Sequence, residues 1–491
     1  MSVSETPIAT RVRPRVGAPA SPSSLPASSA AAPVLSPLGL LTVLLGAALP
    51  MVDAFIVNVA LPTIDRDLQA GPALLEMVVG GYGVAYAVLL VLGGRLGDMF
   101  GRRRLFLWGI ASFGITSVAC GLAPNAWTLV AARVAQGAAS ALLLPQVLAS
   151  IQATTSGTAR VRAMSHYSST AGVSSAVGQV LGGVLVSLDV AGTGWRSIFL
   201  VNAPVAAVAL FLALRTVPET RSEHPTRVDG PGTALLSLAL VSLLVPLTEG
   251  RSAGWPVWSW VLLAVFPFAA WAFLAVELRT ERAGRTPLVP PSLLRIHSVR
   301  SGLAVLMPFC LGWGGFMFAI AVALQEGLRM GPMAAGLSLV PLCAAFFVAS
   351  LAGPRLAARH GRRVVTAGAL FQSAGLLMLI ATFHWGWHGL DGWGTAPALA
   401  VQGLGQGLLF PLTMRTMLSE VPVAQAGVGG GVVTTAQQAF QALGVAALGT
   451  LFLSLAPSMG MRDALTVTLA VQLAAAAVTV VLSLRLPRSM R

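Results

Sequence analysis

The chain has 491 residues, of which 55% are hydrophobic and only 10% are charged, and its mean hydropathy is +0.79. Soluble domains carry about 25% charged residues, so this composition excludes a soluble globular protein and predicts a polytopic membrane protein. The net charge of +14 comes from 31 basic residues, all of them arginine, against 17 acidic ones.

Windows of about 20 apolar residues predict an all-α fold with about fourteen transmembrane helices. The predicted spans are residues 38–61, 75–97, 105–123, 127–151, 164–188, 196–216, 231–249, 256–277, 298–325, 332–356, 364–384, 395–418, 427–455 and 463–485. Residues 1–36 are rich in Ser, Pro and Ala without hydrophobic periodicity, which predicts a disordered tail and not a secretory signal.

The arginines are concentrated in alternate connections between the predicted spans. If the N-terminus is cytoplasmic, about 25 of them lie in or beside cytoplasmic segments and about five lie outside, as the positive-inside rule requires. The basic charge therefore indicates orientation and does not indicate nucleic-acid binding. We expect a multi-pass protein of the cell membrane with both termini in the cytoplasm.

Asp53 interrupts the first apolar span. A carboxylate inside the bilayer costs about 2.5–3.5 kcal/mol on insertion scales, so it usually faces a cavity, a partner charge or a substrate pathway. Arg133 is predicted at similar depth in the fourth span and also needs a carboxylate. The pair predicts a proton or cation site, although Asp53 could instead cap a kink after Pro50, and Arg133 could extend to the membrane surface.

An internal repeat divides the chain. GGRLGDMFGRRR at Gly93–Arg104 recurs as GPRLAARHGRR at Gly353–Arg363, each copy following the second span of a six-helix half. Parallel halves of this kind are a known transporter architecture. The predicted divisions are a cytoplasmic tail (1–36), an N-terminal six-helix half (37–217), two extra helices with their loops (218–296) and a C-terminal six-helix half (297–491).

These motifs resemble the major facilitator superfamily, and specifically its fourteen-span drug:proton antiporters. The loop motif after span two is accompanied, in the expected order, by motifs in spans one, four, six, twelve and thirteen. They are MVDAFIVNVALP (Met51–Pro62), RVAQGAASA (Arg133–Ala141), WRSIFLVNAPV (Trp195–Val205), GLGQGLLFP (Gly403–Pro411) and GVGGGVVTTAQQAFQALGVAALGT (Gly427–Thr450). The resemblance implies proton-coupled export by alternating access, with Arg133 in proton coupling.

The resemblance also implies a gate at the cytoplasmic end of span two. Asp98 there can pair with an arginine and face the N-terminus of a helix from the other half. The candidate gating residues are Gly94, Asp98, Gly101, Arg102 and Arg103. Positive-inside topology alone would explain the arginines but not the aspartate.

The fifth-span motif departs from the family pattern. It reads GQVLGG, with Gln179 where the antiporters have a proline, while Gly178, Gly182 and Gly183 still allow close helix packing. The spans at 332–356 and 427–455 contain no Asp or Glu, where exporters of divalent organic cations in this family tend to carry acids. The resemblance therefore implies that strongly dicationic substrates are not expected.

Polar and aromatic side chains of the central spans are candidates to line a substrate cavity, since amphiphilic ligands need apolar walls with a few polar points. For any single aromatic residue, packing in the core or against lipid remains an alternative. The candidates are Phe55, Asn58, Tyr82, Tyr86, Gln136, Gln146, Trp313, Phe316, Phe318, Gln325, Glu326, Gln402, Gln437, Gln438 and Gln441.

The sequence thus favours proton-coupled efflux of small amphiphilic compounds such as drugs, antibiotics and dyes, by a monomer with no cofactor. The alternative is a metabolite or nutrient facilitator or symporter on the same scaffold. An enzyme is not expected, because no catalytic constellation is present. No metal is expected either: the three cysteines are scattered through apolar spans, and His384 and His388 lie among interfacial tryptophans.

Overall fold

Fourteen long helices contain most of the residues that the computed structural model describes, which are 35–189, 192–220, 229–250, 254–285, 287–390, 393–421 and 426–486. The predicted tail falls almost entirely outside these residues. The helices are α1 (Pro37–Leu68), α2 (Gly71–Phe100), α3 (Arg102–Gly121), α4 (Ala126–Thr154), α5 (Gly157–Leu188), α6 (Gly194–Thr216), α7 (Gly230–Glu249), α8 (Val257–Arg282), α9 (His297–Gly327), α10 (Met333–His360), α11 (Arg363–Gly386), α12 (Ala396–Leu418), α13 (Gly429–Met459) and α14 (Met461–Ser483).

Thirteen of these helices are long and apolar enough to cross a membrane, counted over the described residues. The exception is α12, a helix of 23 residues that carries the buried amides Gln402 and Gln406. The predicted all-α polytopic fold is confirmed. Several helices run past the predicted spans, most clearly α5, which begins at Gly157 and not at residue 164.

Local sequence explains where the helices start and stop. The Asn125 side chain accepts a hydrogen bond from the Thr128 amide and the Thr128 hydroxyl lies near the Asn125 amide, which forms a capping box at the start of α4. Gly101 separates α2 from α3 with a φ of 101°, a conformation that residues with a Cβ rarely adopt. The loop motif therefore requires its glycine at this position.

The apolar core is divided along the chain. The buried members of the largest cluster lie within residues 305–486, and two further clusters lie within residues 35–217. The same helix contact recurs in both regions: Gly137 of α4 lies directly against the Tyr82 carbonyl of α2, and Gly403 of α12 lies against the Leu342 carbonyl of α10. Tyr82 and Leu342 are separated by the same spacing as the two copies of the repeated motif.

Helices α7 and α8 pack beside α2. Leu240 and Leu244 of α7 belong to one buried cluster with Ala87 of α2, while Phe273 of α8 and Leu288 of the following segment belong to another with Val91 of α2. The extra helix pair thus lies against the helix that carries the predicted gate.

Candidate functional site

A buried ion pair joins α1 to α4. The Asp53 carboxylate and the Arg133 guanidinium are both fully buried, and Arg133 Nη1 donates to Asp53 Oδ2. A buried ion pair is retained at a desolvation cost that only close geometry and further hydrogen bonds offset. The two residues predicted to pair from their depth are therefore in direct contact.

Two amides complete the shell of the carboxylate. Asp53 Oδ1 accepts hydrogen bonds from Gln136 Nε2 at 3.1 Å and from Asn202 Nδ2 at 2.8 Å. Both amides also donate to Ser117 Oγ, at 3.1 and 3.0 Å, and the Ser117 hydroxyl donates to the Phe199 carbonyl. We call Asp53, Arg133, Gln136, Asn202 and Ser117 the Asp53 cluster.

The Arg133 guanidinium is held on its other sides as well. Its Nε donates to the Val78 carbonyl at 3.1 Å and its Nη1 donates to Gln136 Oε1 at 2.7 Å. Its Cζ lies 4.3 Å from the centroid of the Tyr82 ring, within range of a cation–π interaction. The cation therefore has a fixed position between the carboxylate and the ring.

A central cavity of about 510 Å³ lies beside the cluster. Most of its wall is apolar or aromatic, as ligand cavities for amphiphilic molecules require. Of the fifteen predicted cavity residues, eleven lie on its wall. They are Phe55, Asn58, Tyr82, Tyr86, Trp313, Phe318, Gln325, Glu326, Gln437, Gln438 and Gln441.

Four predicted cavity residues have other positions. Gln136 belongs to the Asp53 cluster, because a buried carboxylate recruits amide donors. Gln146 donates to the Gly93 carbonyl at 2.8 Å and joins α4 to α2. Phe316 is buried in the core, and Gln402 packs against Gly375 at the contact between α11 and α12.

Some wall residues gave no distinguishing signal in the sequence. Aromatic side chains on apolar helices look alike whether they face lipid, core or cavity. The wall also contains Tyr167, Phe309, Phe346, Phe410, Met317 and Met414. Asn202 could have been found, since it is a lone amide in the apolar run that follows Trp195.

Tyr82 separates the Asp53 cluster from the cavity. Asp53 is not among the residues of the cavity wall, whereas Tyr82 is on the wall and its ring covers Arg133. The Tyr82 hydroxyl donates to the Pro50 carbonyl at 3.1 Å and lies 2.9 Å from Ser140 Oγ. These contacts fix the ring over the guanidinium at the cavity wall.

The predicted packing glycines of α5 lie against α1. A Cβ on Gly178 would lie 2.6 Å from the Val52 carbonyl oxygen, and one on Gly182 would lie 2.8 Å from the Ile56 carbonyl oxygen. Gly183 is buried as well. The glycines therefore allow backbone contact with the helix that carries Asp53, and Gln179 between them is also buried.

The predicted gating residues cluster where α2 meets α3. Asp98 Oδ1 accepts from Arg102 Nη2 at 3.0 Å and Nε at 3.3 Å, and Arg103 Nη2 donates to the Leu214 carbonyl of α6 at 2.5 Å. Gly94 and Asp98 line a space of about 60 Å³ together with Gly430, Gly431 and Thr434 of α13. We call the end of the molecule that carries this contact the Asp98 face.

The second copy of the motif has a different contact. Ala358 replaces the aspartate, and Arg362 Nη1 donates to the Leu486 carbonyl at 2.9 Å.

Among the described residues, no group of three or more His, Cys, Asp or Glu side chains could hold a metal ion.

A bundle of membrane-spanning helices around a central cavity, with a buried ion pair beside it, defines a membrane transporter. The chain matches the Major Facilitator Superfamily over residues 43–445, and it belongs to that family. It is therefore a transporter and not an enzyme.

Its relatives include exporters and resistance proteins. It is 37% identical to a probable actinorhodin transporter of Streptomyces coelicolor, over 84% of this chain and 72% of that protein. It is 36% identical to a puromycin resistance protein of Streptomyces alboniger, over 87% of this chain and 84% of that protein. A tetracenomycin C resistance and export protein of Streptomyces glaucescens is 33% identical, over 84% of this chain and 76% of that protein.

Solved structures show the same fold. A POT family transporter in complex with 5-aminolevulinic acid superimposes with a TM-score of 0.66 at 13% sequence identity, covering 92% of this chain and 98% of that one.

Proposed function

We propose that this protein exports small amphiphilic organic compounds, antibiotics among them, across the cell membrane in exchange for protons. The observation that carries the proposal is the Asp53 cluster, a protonatable group buried beside a cavity of ligand size. The names of the relatives, which include resistance and export proteins for puromycin and tetracenomycin C, support antibiotics as substrates.

Export of this kind needs the cavity to open to the two sides of the membrane in turn. The arginine distribution supports a topology with both termini, and the Asp98 face, in the cytoplasm. The chain works as a monomer, with two six-helix halves on either side of the cavity. Transport by everted membrane vesicles tests the proposal: an imposed proton gradient should drive uptake of puromycin, and collapse of the gradient should abolish it.

The charge of the cavity favours neutral or singly charged substrates. Among the described residues of its wall, Glu326 is the only charged one. A second positive charge on a substrate would therefore enter without a partner, and removing an unpaired charge from water costs several kcal/mol.

We accordingly expect monocationic dyes to be transported at least about tenfold faster than matched rigid dications, since tenfold corresponds to about 1.4 kcal/mol. The measurement is initial rate in vesicles with a clamped membrane potential and a fixed pH gradient. Glu326→Gln should slow the monocation and leave a neutral analogue unchanged. Equal rates for both dyes would contradict a cavity with a single acidic residue.

The gate is proposed to depend on Asp98, which pairs with Arg102 and lines the same small space as Gly430 and Gly431 of α13. We expect Asp98→Ala to open the Asp98 face and to speed alkylation of a cysteine at Leu144→Cys, a position that borders both the small space and the central cavity. The matched control is Asp98→Asn, which keeps the side-chain size without the charge. Unchanged labelling in both variants would contradict a role of Asp98 in the gate and leave it only as an ion-pair partner of Arg102.

A further inference from the structure

Two carboxylates meet at the Asp98 face, away from the Asp53 cluster. Glu277 of α8 is fully buried and its Oε1 has no hydrogen-bond partner. Asp229 is the N-cap of α7, with Oδ1 accepting from the Gly232 amide at 2.9 Å and Oδ2 unpartnered. A Cβ on Gly232 would overlap Glu277 Oε1 and lie 2.8 Å from Asp229 Oδ2, so both free oxygens border the same backbone position.

The remaining contacts of Glu277 tie down the segment after α8. Glu277 Oε2 accepts from the Val289 amide at 2.8 Å. Arg95 of α2 binds the same segment: its Nη2 donates to the Pro287 carbonyl at 2.6 Å and to the Leu288 carbonyl at 2.9 Å. We call residues 287–289 the strap, because it joins α8 to the helix of the predicted gate.

The unpartnered oxygens of Glu277 and Asp229 are both shielded from water beside Gly232. Two anions at this position are unfavourable, because like charges repel strongly where water is excluded. One bound proton removes one of the two negative charges and with it the repulsion. Asp229 is a helix N-cap, a position where the helix dipole favours an anion. The fully buried Glu277 is the group that gains most from being neutral.

We propose that Glu277 and Asp229 form a second proton-binding site. Protonation of Glu277 then maintains the hydrogen bonds from Arg95 to the strap carbonyls. Loss of the proton leaves two anions near Arg95, which also interacts electrostatically with Asp98 one turn away. The guanidinium is then drawn toward the carboxylates and away from the strap carbonyls. Protonation of Glu277 on α8 is thus coupled to the position of Arg95 on α2.

The first test is infrared spectroscopy of the purified protein at about pH 6, where ordinary carboxyls with pKa values near 4 are ionised. We expect a protonated-carboxyl band in the parent that disappears in Glu277→Gln. The band should persist in Asp53→Asn and in the control Glu281→Gln, whose acid lies one turn along the same helix and contacts the Ser292 amide. Identical carboxyl bands in the parent and Glu277→Gln would overturn the proposal.

The second test reads the strap by alkylation of Leu288→Cys, a buried position in a chain whose three native cysteines are buried. Between about pH 6 and pH 9, spanning the loss of the proposed proton, labelling should rise about tenfold more than in the same reporter carrying Glu277→Gln. That second reporter supplies the intrinsic pH dependence of the thiol. Parallel pH profiles would overturn the link to the strap, and neither test depends on transport activity.

Discussion

Asp53→Asn is expected to abolish proton-driven accumulation while the protein still inserts in the membrane. The amide cannot bind and release a proton, although it can still accept the hydrogen bond of Asn202. One proton moved through 100 mV supplies about 2.3 kcal/mol, which supports about a fifty-fold substrate gradient. We expect that gradient to fall to none, measured as steady-state accumulation in vesicles with an imposed potential.

A stability control is needed because the substitution leaves Arg133 as a buried charge without its carboxylate. Breaking a buried pair in this way costs about 3–5 kcal/mol. The double variant Asp53→Asn/Arg133→Gln removes both charges and should recover part of the lost thermal stability without recovering accumulation. Substrate exchange without a gradient should continue in any folded variant. Full accumulation by Asp53→Asn would exclude Asp53 as the coupling residue.

The sequence predicted the class of fold and the Asp53–Arg133 contact for the same physical reason. A charge inside an apolar span is costly, so its position along the helix is informative and its partner must lie at similar depth. The partner amides were harder to find. Asn202 lies 149 residues from Asp53, and nothing local to either residue indicates that they meet.

The direction in which a side chain points is the part that the sequence did not settle. Helix α1 is apolar on all sides, so no amphipathic pattern reveals that Asp53 faces α4 while Phe55 and Asn58 face the cavity. The same ambiguity placed Gln136 and Gln146 on the cavity wall in the prediction. Glu277 went unnoticed because an acid near the end of a span usually marks only the membrane boundary.

Tyr82 is the residue whose loss should change coupling without removing a charge. Its ring covers Arg133 and lies on the cavity wall, so replacing it by alanine joins the cavity to the Asp53 cluster. A polar site needs only about 10–15 Å³ to admit a water molecule, far less than a phenol ring occupies. Water would then reach the carboxylate whether or not substrate is bound.

We therefore expect Tyr82→Ala to leak protons. In vesicles without substrate, an imposed pH gradient should dissipate at least about tenfold faster than in the parent, which corresponds to about 1.4 kcal/mol of lost barrier. Tyr82→Phe is the matched control, because it keeps the ring over Arg133 and loses only the hydroxyl contacts with Pro50 and Ser140. Vesicles with Tyr82→Phe should lose the pH gradient no faster than vesicles with the parent protein. If Tyr82→Ala leaks no faster than Tyr82→Phe, the barrier between the cavity and the ion pair is formed by other residues, and the proton reaches Asp53 by another route.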